Sequence, residues 1–270
     1  MKIKLLDNKP YTYELLETSY KNCDYKNKES WITFKKFFKE FTKKVFETNL
    51  AIFTGKGYIK GLFPLAYSEK KSYASISHSL HSITPYVLSE WHLNYKSNKE
   101  PKNRFVDFWC MLENQKIEAW IEVKNIWFNL QTDNFAETIK KIYNDDKDKE
   151  YKKMGIIQQG LVQLDNVRKE IKNEKIANST PFKVVLLNIP IFCSCPISKK
   201  IDNDKINSTP KKIEKLLNDF IKSKDFPAKN YKKGVLCAVL DLDPQGTREG
   251  GVIFENYYMP YFALAAVVLE

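Results

Sequence analysis

One segment of the chain, residues 182–192, limits the possible folds more than any other. It reads Phe-Lys-Val-Val-Leu-Leu-Asn-Ile-Pro-Ile-Phe, an almost continuous apolar run of strand length. A strand with one solvated face alternates apolar and polar residues, whereas a strand covered on both faces is apolar throughout. The segment therefore predicts a central strand with other elements packed on both sides of its sheet.

Length and composition indicate a packed globular protein. The chain has 270 residues, of which 43% are hydrophobic and 14% aromatic, and these values exclude a disordered chain. This length suits one large domain, or one domain with an appendage. We expect an appendage of helix and strands at 1–82 and a core with a strand-rich C-terminal extension at 83–270, with one continuous domain as the alternative.

The charge balance points to a polyanionic partner. Lys and Arg number 44 against 33 Asp and Glu, which gives a net charge of +11 and a pI near 9.2. Such an excess favours nucleic acid or an anionic membrane surface. A genome rich in Lys and Asn codons would raise lysine everywhere, so charge alone does not establish nucleic-acid binding.

Cysteine usage and apolar run lengths bear on localisation. The five cysteines form no CxxC pair and only three histidines are present, so reduced thiols in a cytoplasmic protein are expected. The longest apolar run, Tyr261–Leu269, falls far short of the roughly 20 residues that a membrane-spanning helix needs. The N-terminus has no long apolar core, so we expect neither a secretory signal nor membrane association.

Hydrophobic periodicity predicts alternating helices and strands. Helices are expected over 29–48, 83–95, 135–147, 152–172 and from Pro210 to about 223. Strands are expected within 50–67, in a hairpin at 103–127, and at 182–192, 233–242 and 251–259. Residues 68–82 are expected to form a loop, and the final apolar segment a strand or helix. This order predicts an α/β or α+β fold, with a central mixed β-sheet flanked by helices.

The hairpin at 103–127 contains acidic residues among apolar ones. If its turn is a two-residue loop at 114–115, positions whose numbers sum to 229 face each other, and Asp107 lies opposite Glu122. Opposed residues on one face have Cβ atoms about 4.5–5.5 Å apart. Side chains alternate along a strand, so Glu122 and Lys124 share a face.

Two opposed carboxylates in apolar surroundings repel each other and are costly to bury. A divalent cation would resolve both problems, and Mg²⁺ is typically held by one or two carboxylates plus water and substrate phosphate. Such an ion stabilises charge on phosphoryl oxygens and acidifies bound water. Lys124, one pleat beyond Glu122, could position that water or balance transition-state charge.

This pattern resembles the PD-(D/E)XK nuclease superfamily, which has the restriction-endonuclease-like fold. The family signature is an Asp on one hairpin strand and Glu-x-Lys on the next, matched here by Asp107 and Glu122-Val123-Lys124. The resemblance covers about residues 83–195. It implies a restriction-endonuclease-like core whose elements run helix, three strands, helix, strand. Val106 stands where the family signature has proline.

The resemblance also implies roles for individual residues. Asp107 and Glu122 would be metal ligands, the carbonyl of Val123 could add a ligand, and Lys124 would be catalytic. Many members of the family carry a further Glu on the preceding helix, for which Glu90 is the candidate here. The cofactor would be Mg²⁺, with Mn²⁺ able to substitute.

The predicted function is therefore a Mg²⁺-dependent endodeoxyribonuclease of the restriction or defence type. Its partner would be DNA, double-stranded rather than single-stranded, and a homodimer would let two sites cut two strands. The alternatives are a non-catalytic nucleic-acid-binding protein that retains the fold, and a protein-interaction module with solvated lysines. A further alternative is a half-exposed strand on which Glu118, Glu122 and Lys124 simply face water.

Overall fold

The computed structural model describes twelve segments of the chain. These are residues 2–5, 11–21, 28–55, 61–95, 102–112, 117–132, 135–140, 155–171, 179–194, 202–244, 252–254 and 257–270. The turn of the 103–127 hairpin, at 113–116, lies outside the described residues, as do residues 141–147 of the helix expected at 135–147.

The described strands form one mixed sheet of ten members. In chain order they are β1 (Lys2–Lys4), β2 (Thr12–Leu16), β3 (Val87–Tyr95), β4 (Lys102–Leu112), β5 (Ile117–Asn125), β6 (Phe128–Asn129), β7 (Thr180–Ser194), β8 (Lys233–Asp241), β9 (Val252–Phe254) and β10 (Tyr257–Leu269). The main path runs β1-β2-β8-β10-β7-β5-β4-β3, while β6 pairs with β7 and β9 with β10. β7 is parallel to β5 and β6, and every other pairing is antiparallel.

Helices cover both faces of this sheet. They are α1 (Thr18–Lys21), α2 (Lys28–Phe53), α3 (Glu69–His81), α4 (Phe135–Lys140), α5 (Ile156–Ile171) and α6 (Asn203–Lys222). One apolar core lies between α2, α3 and the sheet, and a second lies between α4, α5, α6 and the opposite face. β7 contributes alternate residues to both cores, such as Leu186 to the first and Leu187 to the second. The prediction of a central strand covered on both faces is confirmed.

The N-terminal residues belong to the same sheet and core as the rest. β2 pairs with β8, and α2 packs its aromatic face onto β7, where the rings of Phe34 and Phe182 lie 5.1 Å apart. Trp31 meets Phe182 edge-on at 5.2 Å. A boundary at residue 82 would separate α3 from the strands beneath it, since α3 shares the first core with β4 and β5.

The expected loop at 68–82 is instead helix α3, and the prediction was wrong for a physical reason. Three buried serines, Ser72, Ser75 and Ser79, line its inner face, so the segment lacks an apolar stripe. Their hydroxyls donate to backbone carbonyls one turn earlier, which satisfies them inside the core. Ser68 caps the helix by accepting a hydrogen bond from the Lys71 N–H.

Two neighbouring segments also differ from expectation. Within the segment 83–95, expected as a helix, Val87–Tyr95 form strand β3. Thr84 donates to the Met111 carbonyl, and this bond ties the residues before β3 to the end of β4. No strand occurs among the described residues of 50–67. There α2 continues to Phe53, and Pro64–Ala66 is a 3-10 turn.

The later elements match the predictions more closely. α5 buries Ile157, Leu161 and Leu164 as its periodicity indicates, and the last apolar segment is strand β10. α6 begins at Asn203, capped by Asp202, so Pro210 lies inside the helix instead of opening it. The expected strand at 251–259 is divided between β9 and the start of β10. No helix of the described residues is both long and apolar enough to cross a membrane.

The shared core predicts a single cooperative unfolding transition. Phe34→Ala should cost about 3–5 kcal/mol, since Phe34 is 1% exposed and its loss leaves a cavity against Phe182. Denaturant unfolding followed by far-UV circular dichroism and by tryptophan fluorescence should give coincident curves that shift together. Lys36→Ala, on the exposed face of α2, is the control and should shift stability by less than about 0.5 kcal/mol. Two separate transitions in Phe34→Ala would contradict a shared core.

Candidate active site

The β4–β5 ladder brings the signature residues together at its end. The pairs run from Leu112↔Ile117 to Phe108↔Ile121, so partner numbers sum to 229 as predicted. The ladder stops at that last pair, one step before Asp107 would meet Glu122. Instead, the Asp107 carboxylate accepts a hydrogen bond of 2.7 Å from the Val123 N–H. A side chain thus takes the place of the next backbone bond, and a gap opens between the strands.

This gap has consequences for the Val123 carbonyl. Along a strand the N–H and C=O groups of one residue are directed toward the same neighbour. Because the Val123 N–H meets Asp107 on the β4 side, its carbonyl is directed to the same side, where β4 no longer pairs. Asp107 and the Val123 carbonyl are therefore directed to the same gap, as the sequence prediction for this carbonyl requires.

Near Asp107, the side chains of β3 and β4 that point to one face of the sheet shift to the other face. Val106 lies in the core under α5, whereas Phe108 lies in the core under α3, although residues two apart normally share a face. β3 switches in the same way between Val87 and Trp91. Glu90, which lies between them, has a φ of 48°, the left-handed region that non-glycine residues rarely adopt. Backbone strain of this kind concentrates at functional sites.

Glu122 and Lys124 are buried together on β5. Glu122 is 2% exposed and Lys124 9%, and the Lys124 ammonium donates to Glu122 Oε1 at 2.7 Å. The alternative in which these residues face water is therefore wrong. Glu118, on the same face, is also buried, where Ser179 and the Trp120 indole donate to its carboxylate.

One carboxylate oxygen of the buried Glu122–Lys124 pair has no hydrogen-bond partner among the described residues. Glu122 Oε2 is buried and accepts no hydrogen bond from any described residue. A buried acceptor without a donor costs about 1–3 kcal/mol, and more when it is charged. α5 closes over the same side chain, because a Cβ on Gly160 would lie 3.6 Å from Glu122 Cγ and 3.1 Å from both Val185 methyls. Glycine at position 160 allows this close approach.

Helix α3 supplies two residues that the sequence prediction missed. Glu69 lies at its first turn, with Oε1 at 3.9 Å from the Lys124 ammonium, and Tyr73 follows one turn later. The Tyr73 hydroxyl donates a hydrogen bond of 3.4 Å to Glu69 Oε1. The only available signal was the helix cap Ser68, because the Glu69-Lys70-Lys71 triplet resembles any solvated charged segment.

The acidic residue proposed for a preceding helix, Glu90, lies on a strand. It belongs to β3 and is exposed, so its predicted helical setting is wrong. Its charge nevertheless reaches the site, since it contributes to raising the pKa of Asp107. Both α3 and α5 pack against the site, and α3 brings the carboxylate of Glu69 to it.

Partial or full burial sets the pKa values of three carboxyl groups near the Lys124 ammonium, those of Glu122, Asp107 and Glu69. Burial raises the pKa of Glu122 to about 7, with Lys124 lowering it and Asp107 raising it further. Burial likewise raises the pKa of Asp107, against the lowering effect of the hydrogen bonds from Tyr73 and Val123. Burial also raises the pKa of Glu69. Without a bound cation, burial thus favours the neutral forms of these carboxyl groups, and their full ionisation at this site is costly.

Lys124 stays protonated in this setting. Burial lowers its pKa, but the charges of Glu122 and Glu69 outweigh that effect, so the pKa is raised above its ordinary value. Lys124 can therefore supply positive charge and hydrogen bonds, but not act as a base at neutral pH.

The residues present fit a cation bound partly by the substrate. The buried, unpartnered Glu122 Oε2 and the Asp107 carboxylate are hard oxygen donors of the kind that Mg²⁺ prefers. Within the described part of the chain, no three His, Cys, Asp or Glu side chains form a complete metal-binding group. Mg²⁺ commonly takes only one or two carboxylates and completes its shell with water and phosphate.

Comparison with known proteins found no match to this chain. No protein-family model, curated protein or solved structure matches it. The geometry of the cluster is thus the basis for assigning a function.

The raised pKa of Glu122 predicts how stability depends on pH in the absence of cations. Between its ordinary value of 4.5 and about 7, the folded protein binds more protons at this group than the unfolded chain does. Stability from this group is therefore present at low pH and is lost as pH rises through about 7. Glu122→Gln should stabilise the metal-free protein at pH 8 by on the order of 2 kcal/mol, and by little at pH 5.

Denaturant unfolding in chelator at both pH values checks this expectation. The control is Glu118→Gln, which changes a buried glutamate on the same strand face whose carboxylate already has two donors. It should not stabilise the protein. Equal or lower stability of Glu122→Gln at pH 8 would contradict a raised pKa of Glu122.

Proposed function

We propose that this protein is a divalent-cation-dependent endonuclease that hydrolyses phosphodiester bonds in DNA. Asp107, Glu122 and the Val123 carbonyl would hold Mg²⁺, with Mn²⁺ able to substitute, and Lys124 would be catalytic. The observation that carries the proposal is the buried Glu122 Oε2, which has no hydrogen-bond partner among the described residues and belongs to a carboxyl group whose ionised form is costly to bury. A bound cation would satisfy the orphaned oxygen and stabilise the ionised carboxylates.

The proposed reaction adds water across the phosphodiester. The water oxygen forms a new P–O bond, the ester P–O bond breaks, and the leaving oxygen takes a proton. A bound Mg²⁺ supplies Lewis acidity toward the phosphate and lowers the pKa of water. Lys124 keeps its proton and adds a fixed positive charge where negative charge grows in the transition state. α5, closely packed at Gly160, limits water around Glu122.

The choice of substrate rests on charge and on the resemblance to PD-(D/E)XK nucleases. The net charge of +11 favours a polyanion, although the site itself is acidic, as expected if a cation mediates contact with phosphate. The antiparallel β3-β4-β5 unit, the following α5 and the strand β7 parallel to β5 are compatible with a restriction-endonuclease-like core. By this resemblance we propose a cytoplasmic restriction or defence nuclease acting on double-stranded DNA as a homodimer.

Plasmid cleavage tests the proposal directly. With Mg²⁺ or Mn²⁺ the wild-type protein should nick or linearise plasmid DNA, and chelator should abolish the activity. Asp107→Ala and Lys124→Ala should each lower the cleavage rate by at least about 100-fold, because each removes a group that acts on transition-state charge. Glu118→Gln is the matched control and should retain activity, since Glu118 lies outside the cluster.

Binding measurements separate the enzyme from a non-catalytic nucleic-acid-binding protein. A folded wild-type protein that binds DNA with steep salt dependence, but cuts neither DNA nor RNA and ignores chelator, would support the binding protein instead. Equal activity in wild type and Asp107→Ala would overturn the assignment of the site.

A further inference from the structure

A buried asparagine on β7 connects the strand of Lys124 to helix α3. Asn188 is fully buried on the α3 side of the sheet, and its side-chain Nδ2 donates to Ser72 Oγ and to Asn125 Oδ1, both at 2.9 Å. Asn125 is the last residue of β5 and directly follows Lys124. It is also the partner of Asn188 in the parallel β5–β7 ladder. One amide group therefore contacts both α3 and the end of β5.

The hydrogen bonds continue into the first turn of α3. The Ser72 hydroxyl, which accepts from Asn188, donates to the backbone carbonyl of Glu69 at 2.6 Å. A hydroxyl can accept and donate at the same time, so both bonds can form together. The Glu69 side chain belongs to that turn, and its Oε1 lies 3.9 Å from the Lys124 ammonium. We call these connected groups the polar link; it consists of Asn125, Asn188, Ser72 and the Glu69 carbonyl.

The polar link has a cost in stability. Asn188 Oδ1 is buried and accepts no hydrogen bond from any described residue, and such an acceptor destabilises the folded protein. The neighbouring residues on this face of β7, Val184 and Leu186, belong to the first apolar core. An apolar side chain at position 188 would avoid the cost of the buried oxygen. Core stability therefore does not account for this amide, whereas its two donated bonds join the elements that meet at Lys124.

We infer that Asn188 is a positioning residue of the proposed active site, whose amide holds the first turn of α3 against the end of β5 and so keeps Glu69 beside the Lys124 ammonium. This inference rests on the proposed function, because it assigns Asn188 a role toward the catalytic Lys124. Two carboxylates then restrict the ammonium, Glu122 at 2.7 Å and Glu69 at 3.9 Å. A charge fixed in this way stabilises a transition state without having to reorient during the reaction.

Asn188→Leu removes the amide and keeps the number and branching of the side-chain heavy atoms. Plasmid cleavage at saturating Mn²⁺ should slow by about 10-fold, because small displacements of a catalytic group are costly. The Mn²⁺ concentration for half-maximal rate should stay that of wild type, since the proposed ligands Asp107 and Glu122 are hydrogen-bonded by the Val123 N–H and by Lys124. A wild-type rate in folded Asn188→Leu would overturn the inference, and so would a higher Mn²⁺ requirement with an unchanged saturated rate.

Ser72→Ala tests the polar link from the helix, where alanine is well tolerated. The saturated rate should fall about as far as in Asn188→Leu, and the double variant should be little slower than either single one, because each breaks the same link. Ser79→Ala is the matched control and should keep the wild-type rate, since Ser79 is a buried serine of α3 whose hydroxyl donates to the Ser75 carbonyl. Multiplicative losses in the double variant, or an equal loss in Ser79→Ala, would overturn the inference.

Two further readouts separate positioning from a purely structural role. The urea midpoints of Asn188→Leu and Ser72→Ala should stay near that of wild type, and a loss of stability in both variants that parallels the loss of rate would overturn the inference. In a Glu69→Gln background, Asn188→Leu should have little further effect on the saturated rate, because the carboxylate that the polar link positions is already gone. The same loss in both backgrounds would contradict a role through Glu69.

The outcomes separate this inference from the proposed function. If folded wild-type protein neither binds Mn²⁺ nor cleaves DNA, the proposed function fails and the role of Asn188 fails with it. If wild type binds Mn²⁺ and cleaves DNA, while Asn188→Leu and Ser72→Ala match it at every Mn²⁺ concentration, only the inference about Asn188 fails.

Discussion

The burial of β7 on both faces is the constraint on which the rest of the structure depends. Its alternate side chains enter two separate apolar cores, one under α2 and α3 and the other under α4, α5 and α6. β7 also lies between the parallel strand β5 and the antiparallel strand β10. The backbone groups of a buried strand must be hydrogen-bonded on both edges. The position of β7 therefore determines where its neighbours lie, including β5, which carries Glu122.

In these apolar surroundings, the charged side chains at the end of β5 are costly to bury. Glu122 and Lys124 form a buried ion pair, and such pairs seldom stabilise a protein as well as apolar residues of the same size would. Glu122 Oε2, which receives no hydrogen bond from the described part of the chain, adds to that cost. Groups with strongly shifted pKa values and unsatisfied polar atoms in one cluster are typical of sites kept for chemistry, because stability alone would select against them.

The end of the β4–β5 ladder makes the cluster possible. Because Asp107 replaces a backbone partner of Val123 with its own carboxylate, the strands part at that level. The face switch of β3 and β4 and the positive φ of Glu90 occur at the same level. Lys124 can then contact both Glu122 on its own strand and Glu69 on α3. The end of the β4–β5 ladder and the packing of α3, and not a loop, thus bring the acidic groups together.

The sequence by itself determined much of the framework and pointed to three residues of the candidate site. The apolar run at 182–192 predicted the central strand, and the turn position predicted the β4–β5 register, because both depend on local patterns of period two. Asp107, Glu122 and Lys124 were identifiable because they interrupt an apolar hairpin. Tertiary structure alone decided that Val87–Tyr95 form a strand and that Glu69–His81 form a helix. Those segments take their form from β4 and from serines buried against the core, and such long-range contacts have no local periodicity. For the same reason only the folded chain shows that Glu69 and Tyr73 join the site, since α3 is distant in sequence from β5 and is brought to it by packing.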